Sequence, residues 1–334
     1  MRIPFNELTS EQLDTWHSLR DNDSALDSPY FHPAFAAAVH DSGTPVEVVT
    51  NGTAFFPVHR TGRVLRPVGW PGADFQAPIG SPFLPTDLLT GGIRSFEFDH
   101  LLDLPEFAPF VTSRRASPFL DVTGGLEGYL GRASKSGKEN MGQARRRTAK
   151  AEREIGPIRF VAESLSGDDL ARVIGLKRAQ YAVTGAVDYF AAPGRRELLT
   201  RLLHTRKGSF GGVLSTLHAG DRLVAAHFGL RSGKVLHWWF PVYDPEFSSY
   251  APGWMLLREL VLASGDMGFT RIDLGRGDDE YKRRAKTGET TVCQGMVTRS
   301  SALLRLRRTR ESALAKVKSS PLAPALRGIV RKFR

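Results

Sequence analysis

The sequence predicts an α/β protein of about two domains. A chain of 334 residues is longer than a domain with a single hydrophobic core usually is. Along it, apolar runs of strand length alternate with stretches of helical periodicity. Residues 220–284 give the clearest order, which is strand, strand, glycine-containing loop, helix and strand. Such a loop directs backbone N–H groups and a helix N-terminus to one place, which attracts anions.

The elements of this central stretch follow from its residue pattern. Apolar and β-branched runs at 222–230 and 234–240 predict two neighbouring strands. A helix of apolar periodicity runs over 254–267 and ends at Gly268, where a positive φ is usually needed. A short buried strand is predicted over 270–275, and a charged segment leaves its carboxyl end.

The remaining elements are predicted in chain order from capping signals, turns and short apolar runs. In the first half they are helices over 9–20 and 33–39 and strands over 46–49, 54–58, 64–68, 96–102 and 117–121. In the second half they are strands over 158–161, 211–217 and 290–297 and helices over 166–181 and 193–204. One long helix over 126–155, weakened at Gly137 and Gly142, is predicted to join the halves. We therefore divide the chain into 1–123, the helix 124–156, 157–300 and a basic tail 301–334.

Composition narrows the class of protein. No run of about 18 apolar residues occurs, and the first residues lack a signal-peptide core, so a cytoplasmic protein is expected. The single cysteine, Cys293, excludes an internal disulfide and is interpreted as a quiet buried thiol. The histidines are scattered without metal-ligand spacing, so no metal is predicted.

The formal net charge of +11 favours anionic partners. Much of the excess lies between residues 135 and 153, and the alternatives there are a phosphate or nucleic-acid site and a solvated helix face. The candidate contacts are Lys138, Arg145, Arg146, Arg147 and Lys150. A second basic block, 305–334, has the pattern of an amphipathic helix on anionic lipid or RNA, or of a frayed tail.

Three strings carry a resemblance to a known family. They are 223–230 (LVAAHFGL), 239–244 (WFPVYD) with 249–253 (SYAPG), and 272–282 (IDLGRGDDEYK). Together with the element order, they resemble the GNAT acyltransferases. The strings and the basic helix are most similar to the branch called CelD/BcsL, which is associated with cellulose, and hence polysaccharide, biosynthesis. The related Fem-type transferases have two GNAT-like lobes. The resemblance implies two such lobes here, each with a mixed central sheet, the C-terminal lobe being the better match.

The resemblance also implies a donor site before the central helix. GNAT enzymes hold acetyl-CoA there with a loop of pattern Gln/Arg-x-x-Gly-x-Gly/Ala, and the aligned residues 248–253 (SSYAPG) keep the last glycine alone. Pro252 also removes an N–H donor. Acetyl-CoA is the first expectation, and aminoacyl-tRNA, used by Fem-type enzymes that lack the full loop, is the alternative. The predicted donor residues are Ser249, Tyr250, Ala251, Gly253, Trp254 and Lys282.

In a GNAT fold the two central strands, here 235–242 and 271–274, splay apart, and candidates for the chemistry lie on them, at their ends or on the neighbouring strand 222–230. They are His227, His237, Tyr243, Asp244 and Asp273. Either histidine is a packed core residue or a general base. Asp244 either starts a turn or takes part in the reaction. Asp273 has apolar neighbours and needs a partner, for which Lys282 and Arg283 are the candidates.

The acceptor is expected in the cleft between the lobes. The predicted contacts are Lys177, Tyr189, Trp239, Asp278, Glu280 and Tyr281. The acids at 278–280 either bind a cationic amine or cap a helix. Three functions follow: an N-acyltransferase acting on a small-molecule or sugar amine, an aminoacyl-tRNA-dependent transferase, and a non-catalytic protein of polysaccharide or envelope assembly on a GNAT scaffold.

Overall fold

The computed structural model describes residues 1–277 and 279–319. Its strands are β1 (Arg2–Pro4), β2 (Glu47–Thr50), β3 (Phe55–Thr61), β4 (Val64–Pro67), β5 (Ser95–Leu102), β6 (Val111–Asp121), β7 (Ile158–Val161), β8 (Arg206–Lys207), β9 (Phe210–Ala219), β10 (Arg222–Ser232), β11 (Val235–Tyr243), β12 (Arg271–Asp273) and β13 (Gly288–Thr298). Its helices are α1 (Ser10–Asp21), α2 (Pro33–Asp41), α3 (Gly125–Arg132), α4 (Lys135–Glu154), α5 (Gly167–Thr184), α6 (Arg195–His204), α7 (Pro252–Ala263), α8 (Glu280–Ala285) and α9 (Ser301–Ser319).

The predicted long helix between the halves is two helices, α3 and α4, so that prediction was wrong. The break lies at Ser134, whose Oγ accepts a hydrogen bond of 3.1 Å from the Gly137 N–H and caps α4. Gly137 is inside α4 and is needed for close packing. A Cβ there would lie 2.8 Å from the carbonyl oxygen of Arg284 and 3.1 Å from Tyr129 Oη.

The strands join into one mixed sheet that passes through both halves of the sequence. Its order is β1-β2-β3-β4-β5-β13-β6-β12-β11-β10-β9-β7, with β8 beside β9. β13, near the C-terminus, lies between β5 and β6 of the first half. β12 of the second half pairs antiparallel with β6. The predicted α/β class with mixed sheets is confirmed, while the division into two lobes with a connecting helix stays an interpretation.

Helices cover both faces of this sheet. On one face, α2, α5 and α6 enclose a core that mixes the two halves, since Tyr30 and Phe35 pack on Trp239 at ring-centroid distances of 5.6 and 6.3 Å. On the other face, α3, α4 and α7 enclose a core that contains Trp238, Met255 and Leu260. Because hydrophobic burial is the main favourable term in folding, this shared core ties the halves together.

β11 carries a bulge in the middle of the sheet. Phe228 of β10 pairs with Phe240 and Leu230 pairs with His237, so Trp238 and Trp239 together face Gly229. A bulge of this kind leaves one residue outside the ladder and turns the strand locally. The bulge accounts for the adjacent Trp239 and Phe240 sharing one core face, with their rings stacked at 4.7 Å.

We expect Gly229→Ala to destabilise the fold. An added Cβ would collide with the carbonyl oxygen of His237 and the ring of His227. Overpacking of this kind costs on the order of 1–3 kcal/mol, measurable as a lower midpoint of urea unfolding. The control is Gly175→Ala, at an exposed position in α5 with open space around it, which should gain about 0.5–1 kcal/mol. Equal midpoints for Gly229→Ala and the wild type would contradict the packing described.

Candidate functional site

The strands β11 and β12 separate soon after they begin to pair. Their parallel pairing joins residues 235–237 to residues 271–273. Beyond His237, β11 continues to Tyr243, while the chain leaves β12 and turns at Gly275 with a φ of 71°. A cavity of about 630 Å³ opens in the gap. This is the separation of central strands that the resemblance implies.

The cavity brings together residues from three predicted groups. The predicted residues that line it are Lys177, Trp239, Tyr243, Ala251, Gly253, Trp254, Tyr281 and Lys282. Other walls come from Trp238, Tyr181 and Leu257, so the lining is mainly aromatic and aliphatic. Such a composition, with a few polar groups, is typical of small-molecule sites.

The N-terminus of α7 lies at one end of the cavity. Ala251 adopts a φ of 49°, which is rare for a residue with a side chain, and no side chain caps the helix. The N–H groups of Trp254 and Met255 turn back to the carbonyl of Ala251, at 3.0 and 3.4 Å. A Cβ on Gly253 would meet no atom within 4 Å. The first turn is thus open to a ligand, and its dipole favours an anion.

Two lysines face the same space. Lys177 Nζ donates to the carbonyl oxygen of Pro241 at 3.3 Å, and burial, with the nearby charge of Lys282, lowers the pKa of Lys177 to about 8. Lys282 Nζ donates to the carbonyl oxygens of Gly275 and Arg276 at 3.2 and 3.1 Å. It also lies 3.5 Å from a carboxylate oxygen of Asp279. Lys282 is therefore largely occupied, whereas Lys177 has one carbonyl partner.

Asp74 reaches the cavity from the first half of the chain. Its Oδ2 lies 3.0 Å from His237 Nε2 and its Oδ1 lies 3.2 Å from His100 Nε2. Because a carboxylate accepts, His237 donates through Nε2, while His100 is an ion-pair neighbour of the other oxygen. Burial disfavours the charged carboxylate, but the hydrogen bond from His237 and the nearby His100 outweigh it and hold the pKa of Asp74 well below its usual range.

The segment that carries Asp74 is fixed on both sides. The indole of Trp239 donates to the carbonyl oxygen of Gly72 at 2.8 Å. The Gln76 side chain accepts from the backbone N–H groups of Asp99 and His100, at 3.1 and 3.0 Å. These contacts attach residues 72–76 to β11 and β5, so the position of Asp74 is set by both halves.

The two histidine candidates lie beneath the cavity wall. Both are fully buried, and neither lines the cavity. His237 contacts Asp74, as described above. His227 stacks on Trp238 at 4.3 Å, and burial lowers the pKa of His227 to about 3, so this ring is neutral at pH 7. The geometry favours the core role for His227 and a role for His237 through Asp74.

The other catalytic candidates are separated from one another. Tyr243 is 44% exposed at the outer end of β11. Asp244 accepts from the N–H of Glu246 at 3.0 Å and so starts a turn. Asp273 is buried, and its partner is Arg271 at 2.7 Å rather than Lys282 or Arg283. Burial raises the pKa of Asp273, although Arg271 opposes this.

The remaining donor and acceptor candidates lie around the cavity without lining it. Ser249 and Tyr250 precede α7, and Tyr250 Oη donates to Glu154 at 2.7 Å. Glu280 begins α8 and pairs with Arg284. Tyr189 packs edge to face on Trp239, at 6.2 Å. Asp278 lies outside the described residues.

The basic candidates project from α4, whose buried face includes Met141 and Ala144. Arg145 and Arg146 are exposed and Arg147 is half-buried. In the part of the chain that the structure describes, these three have no ion-pair or hydrogen-bond partner, whereas Lys150 lies 3.8 Å from Glu154. Lys138 is exposed as well. α4 packs against α7 and α8, so this face borders the helices of the cavity.

Asp74 is the residue that sequence reasoning missed. It stands in a segment rich in glycine, proline and aromatic residues, 69–85, for which the sequence predicts neither a helix nor a strand. An available signal was a charged residue between Ala73 and Phe75, since a carboxylate among apolar residues needs a partner or a function. Among residues 1–277 and 279–319, no group of acids, histidines and cysteine has the arrangement of a metal site, and no helix could span a bilayer.

Comparison with known proteins agrees with the geometry. Residues 138–283 match the family model described as an acetyltransferase (GNAT) domain. FemX superimposes with a TM-score of 0.59 at 7% identity, covering 92% of this chain and 100% of that one. The C-terminal DUF2156 domain of a protein from Agrobacterium fabrum, assigned as a lysylphosphatidylglycerol synthetase, gives 0.55 at 13% identity, with 91% and 97% covered. L-PGS from Bacillus licheniformis gives 0.55 at 11%, with 90% and 95% covered.

These structural likenesses concern the fold alone, because the identities are low. No match was found among curated protein sequences. The family model covers most of α4, strands β7–β12 and the loop before α8, and so includes every described residue that lines the cavity except Asp74. Residues 138–283 of the chain thus match a GNAT acetyltransferase domain, and the whole chain shares the fold of these structures.

Proposed function

We propose that this protein is an N-acyltransferase that moves an acetyl group from acetyl-CoA to an amine acceptor. The observation that carries the proposal is the cavity between β11 and β12, with the uncapped N-terminus of α7 at its end. Acyl transfer needs the two reactants held close and a polarised carbonyl, and a cleft between separated strands supplies both needs.

The pyrophosphate of the donor is assigned to the start of α7. Gly253 leaves room for backbone approach, and the helix dipole favours the anion. Lys177 adds a positive charge on the facing helix α5. Pro252 withholds one N–H, so Lys177 and the Ser248 hydroxyl compensate for donors that the loop lacks. The rest of the carrier would extend along β11 between aromatic walls.

The proposed reaction forms one bond and breaks one bond. The amine nitrogen attacks the thioester carbonyl, a C–N bond forms, the C–S bond breaks, and the amine loses a proton. The bulge at Trp238 and Trp239 leaves a backbone group outside the ladder beside the cavity, a suitable donor to the developing oxyanion. His237, Tyr243, Asp244 and Asp273 stay candidates for the catalytic assignments, of which His237 is the one in contact with a charged cavity residue.

Gly253→Trp should abolish binding of CoA and acetyl-CoA, because the indole would occupy the space that the phosphate approaches. Isothermal titration calorimetry should show micromolar-range binding to the wild type and no heat with the variant. The matched control is Gly167→Trp, the same substitution in the first turn of α5, where the added Cβ also meets open space. Wild-type affinity in Gly253→Trp would contradict the donor site.

A second candidate is transfer of an aminoacyl group from aminoacyl-tRNA. The observation that favours it is the set of unpaired arginines on α4, Arg145, Arg146 and Arg147, beside the helices of the cavity. Charges held without partners are available to phosphates, and binding through them weakens as counterions are added. The incomplete loop before α7 is consistent with a donor other than CoA.

Replacing Arg145, Arg146 and Arg147 with alanine should then reduce retention of charged tRNA and flatten its salt dependence, because about three phosphate contacts are lost. Filter binding at several salt concentrations measures both effects. The control removes the same charge from exposed sites elsewhere, with Arg159, Arg172 and Arg196 changed to alanine. An equal loss in both triple variants would indicate nonspecific attraction and argue against this donor.

The partners follow from the same surfaces. We propose a small-molecule or sugar amine as the acceptor and the cytoplasm as the location of the protein. A peripheral contact with an anionic membrane is supported by α9, where the exposed Leu303 and Leu306 alternate with Arg305 and Arg308. The apolar positions predicted further along the tail, from Leu322 to Val330, lie outside the described residues. The link to polysaccharide assembly comes from the resemblance to the CelD/BcsL branch.

A further inference from the structure

We propose that Asp74 binds the ammonium group of the acceptor, so that the first half of the chain supplies the acceptor subsite of the transferase in the second half. This inference rests on the proposed function, since it names a subsite of the same cavity. It replaces the acids at 278–280 as the expected contact for a cationic amine.

Asp74 and the start of α7 mark opposite ends of the cavity. Asp74 lies at the level of His237, where β11 and β12 cease to pair. Lys177 contacts β11 at Pro241, four residues further along, or about 13 Å at the usual rise of a strand. A carrier held by its phosphates near α7 would therefore direct its acyl end towards Asp74.

The carboxylate has both the access and the capacity for a ligand. The side chains of His237 and His100 are almost fully buried, but that of Asp74 keeps 24% of its surface, and Asp74 lines the cavity. A carboxylate offers about four acceptor positions; His237 uses one, and His100 lies 3.2 Å from the other oxygen. Gly275 leaves this space clear, because a Cβ there would collide with Asp74 Oδ2.

The surroundings favour a cation over a neutral group. Lys282 is held by the carbonyls of Gly275 and Arg276, so it does not form a direct ion pair with Asp74 in the part of the chain described. The rings of Trp238, Trp239 and Tyr281 line the same cavity, and aromatic faces attract ammonium ions. A carboxylate whose role is limited to holding two histidines in place does not need to be exposed to an aromatic cavity.

The test uses n-butylammonium as the probe and n-butanol as its uncharged counterpart, with binding followed by tryptophan fluorescence or NMR of the full chain. The wild type should bind n-butylammonium at least tenfold more tightly than n-butanol. Asp74→Asn should weaken n-butylammonium binding by about tenfold to a hundredfold, the usual cost of losing a hydrogen bond to a charged group. n-Butanol binding should stay as it is.

Asp279→Asn is the matched control. It removes a carboxylate from the same cavity, but one already 3.5 Å from Lys282, so n-butylammonium binding should remain within about twofold. A wild-type affinity in Asp74→Asn would overturn the proposal, and so would a loss confined to Asp279→Asn. If Asp74→Asn does not fold, the wild type decides, because equal affinity for the amine and the alcohol overturns the proposal.

Donor binding separates the possible failures. Acetyl-CoA binding should be unchanged in Asp74→Asn. If the wild type does not bind acetyl-CoA, the proposed function is contradicted, while the amine subsite at Asp74 is still supported by the n-butylammonium result.

Discussion

The separation of β11 from β12 is the constraint on which the rest of the site depends. Two neighbouring strands that part leave the backbone groups that face the gap without ladder partners. Each strand is instead held in place from the side away from the gap. β11 pairs with β10 on both sides of its bulge, and β12 pairs with β6, whose Pro118 carbonyl accepts from Leu274 N–H at 2.9 Å. The gap stays open because β11 is held by β10 and β12 is held by β6, each on the side away from the gap.

Because of this pairing, the two halves of the chain share one continuous sheet. β6 belongs to the first half and β13 inserts beside it, so the sheet that opens at the cavity continues directly into the N-terminal strands. The hydrogen bond from Trp239 to Gly72 and the contact of His237 with Asp74 cross the same boundary. An isolated C-terminal half would lose the β6 edge of β12 and the acidic end of its cavity together. The region that matches the GNAT family model is therefore completed by residues from outside the match.

Local signals in the sequence were enough to find most of the elements. The capping box of Thr9 and Gln12 and the turn before β10 act over a few residues, and these predicted boundaries lie close to the observed ones, whereas α7 ends at Ala263, five residues before the predicted stop at Gly268. The break before α4 was misplaced because glycine weighs against a helix only on average, while the Ser134 cap decides this case. Asp74 could not be assigned, since its partners His100 and His237 are 26 and 163 residues away.

Groups of opposite charge lie at the two ends of the cavity. The chain as a whole is strongly basic, yet one end of the cavity holds a carboxylate whose two histidine neighbours favour its ionised form. The other end holds an uncapped helix N-terminus and Lys177, and uncharged aromatic walls separate the two. An anionic carrier and a cationic amine would each be repelled from the wrong end. Because the field falls slowly in an apolar cavity, this arrangement orients both reactants before they touch. The bulge at Trp238 and Trp239 borders the same cavity, since both residues line it.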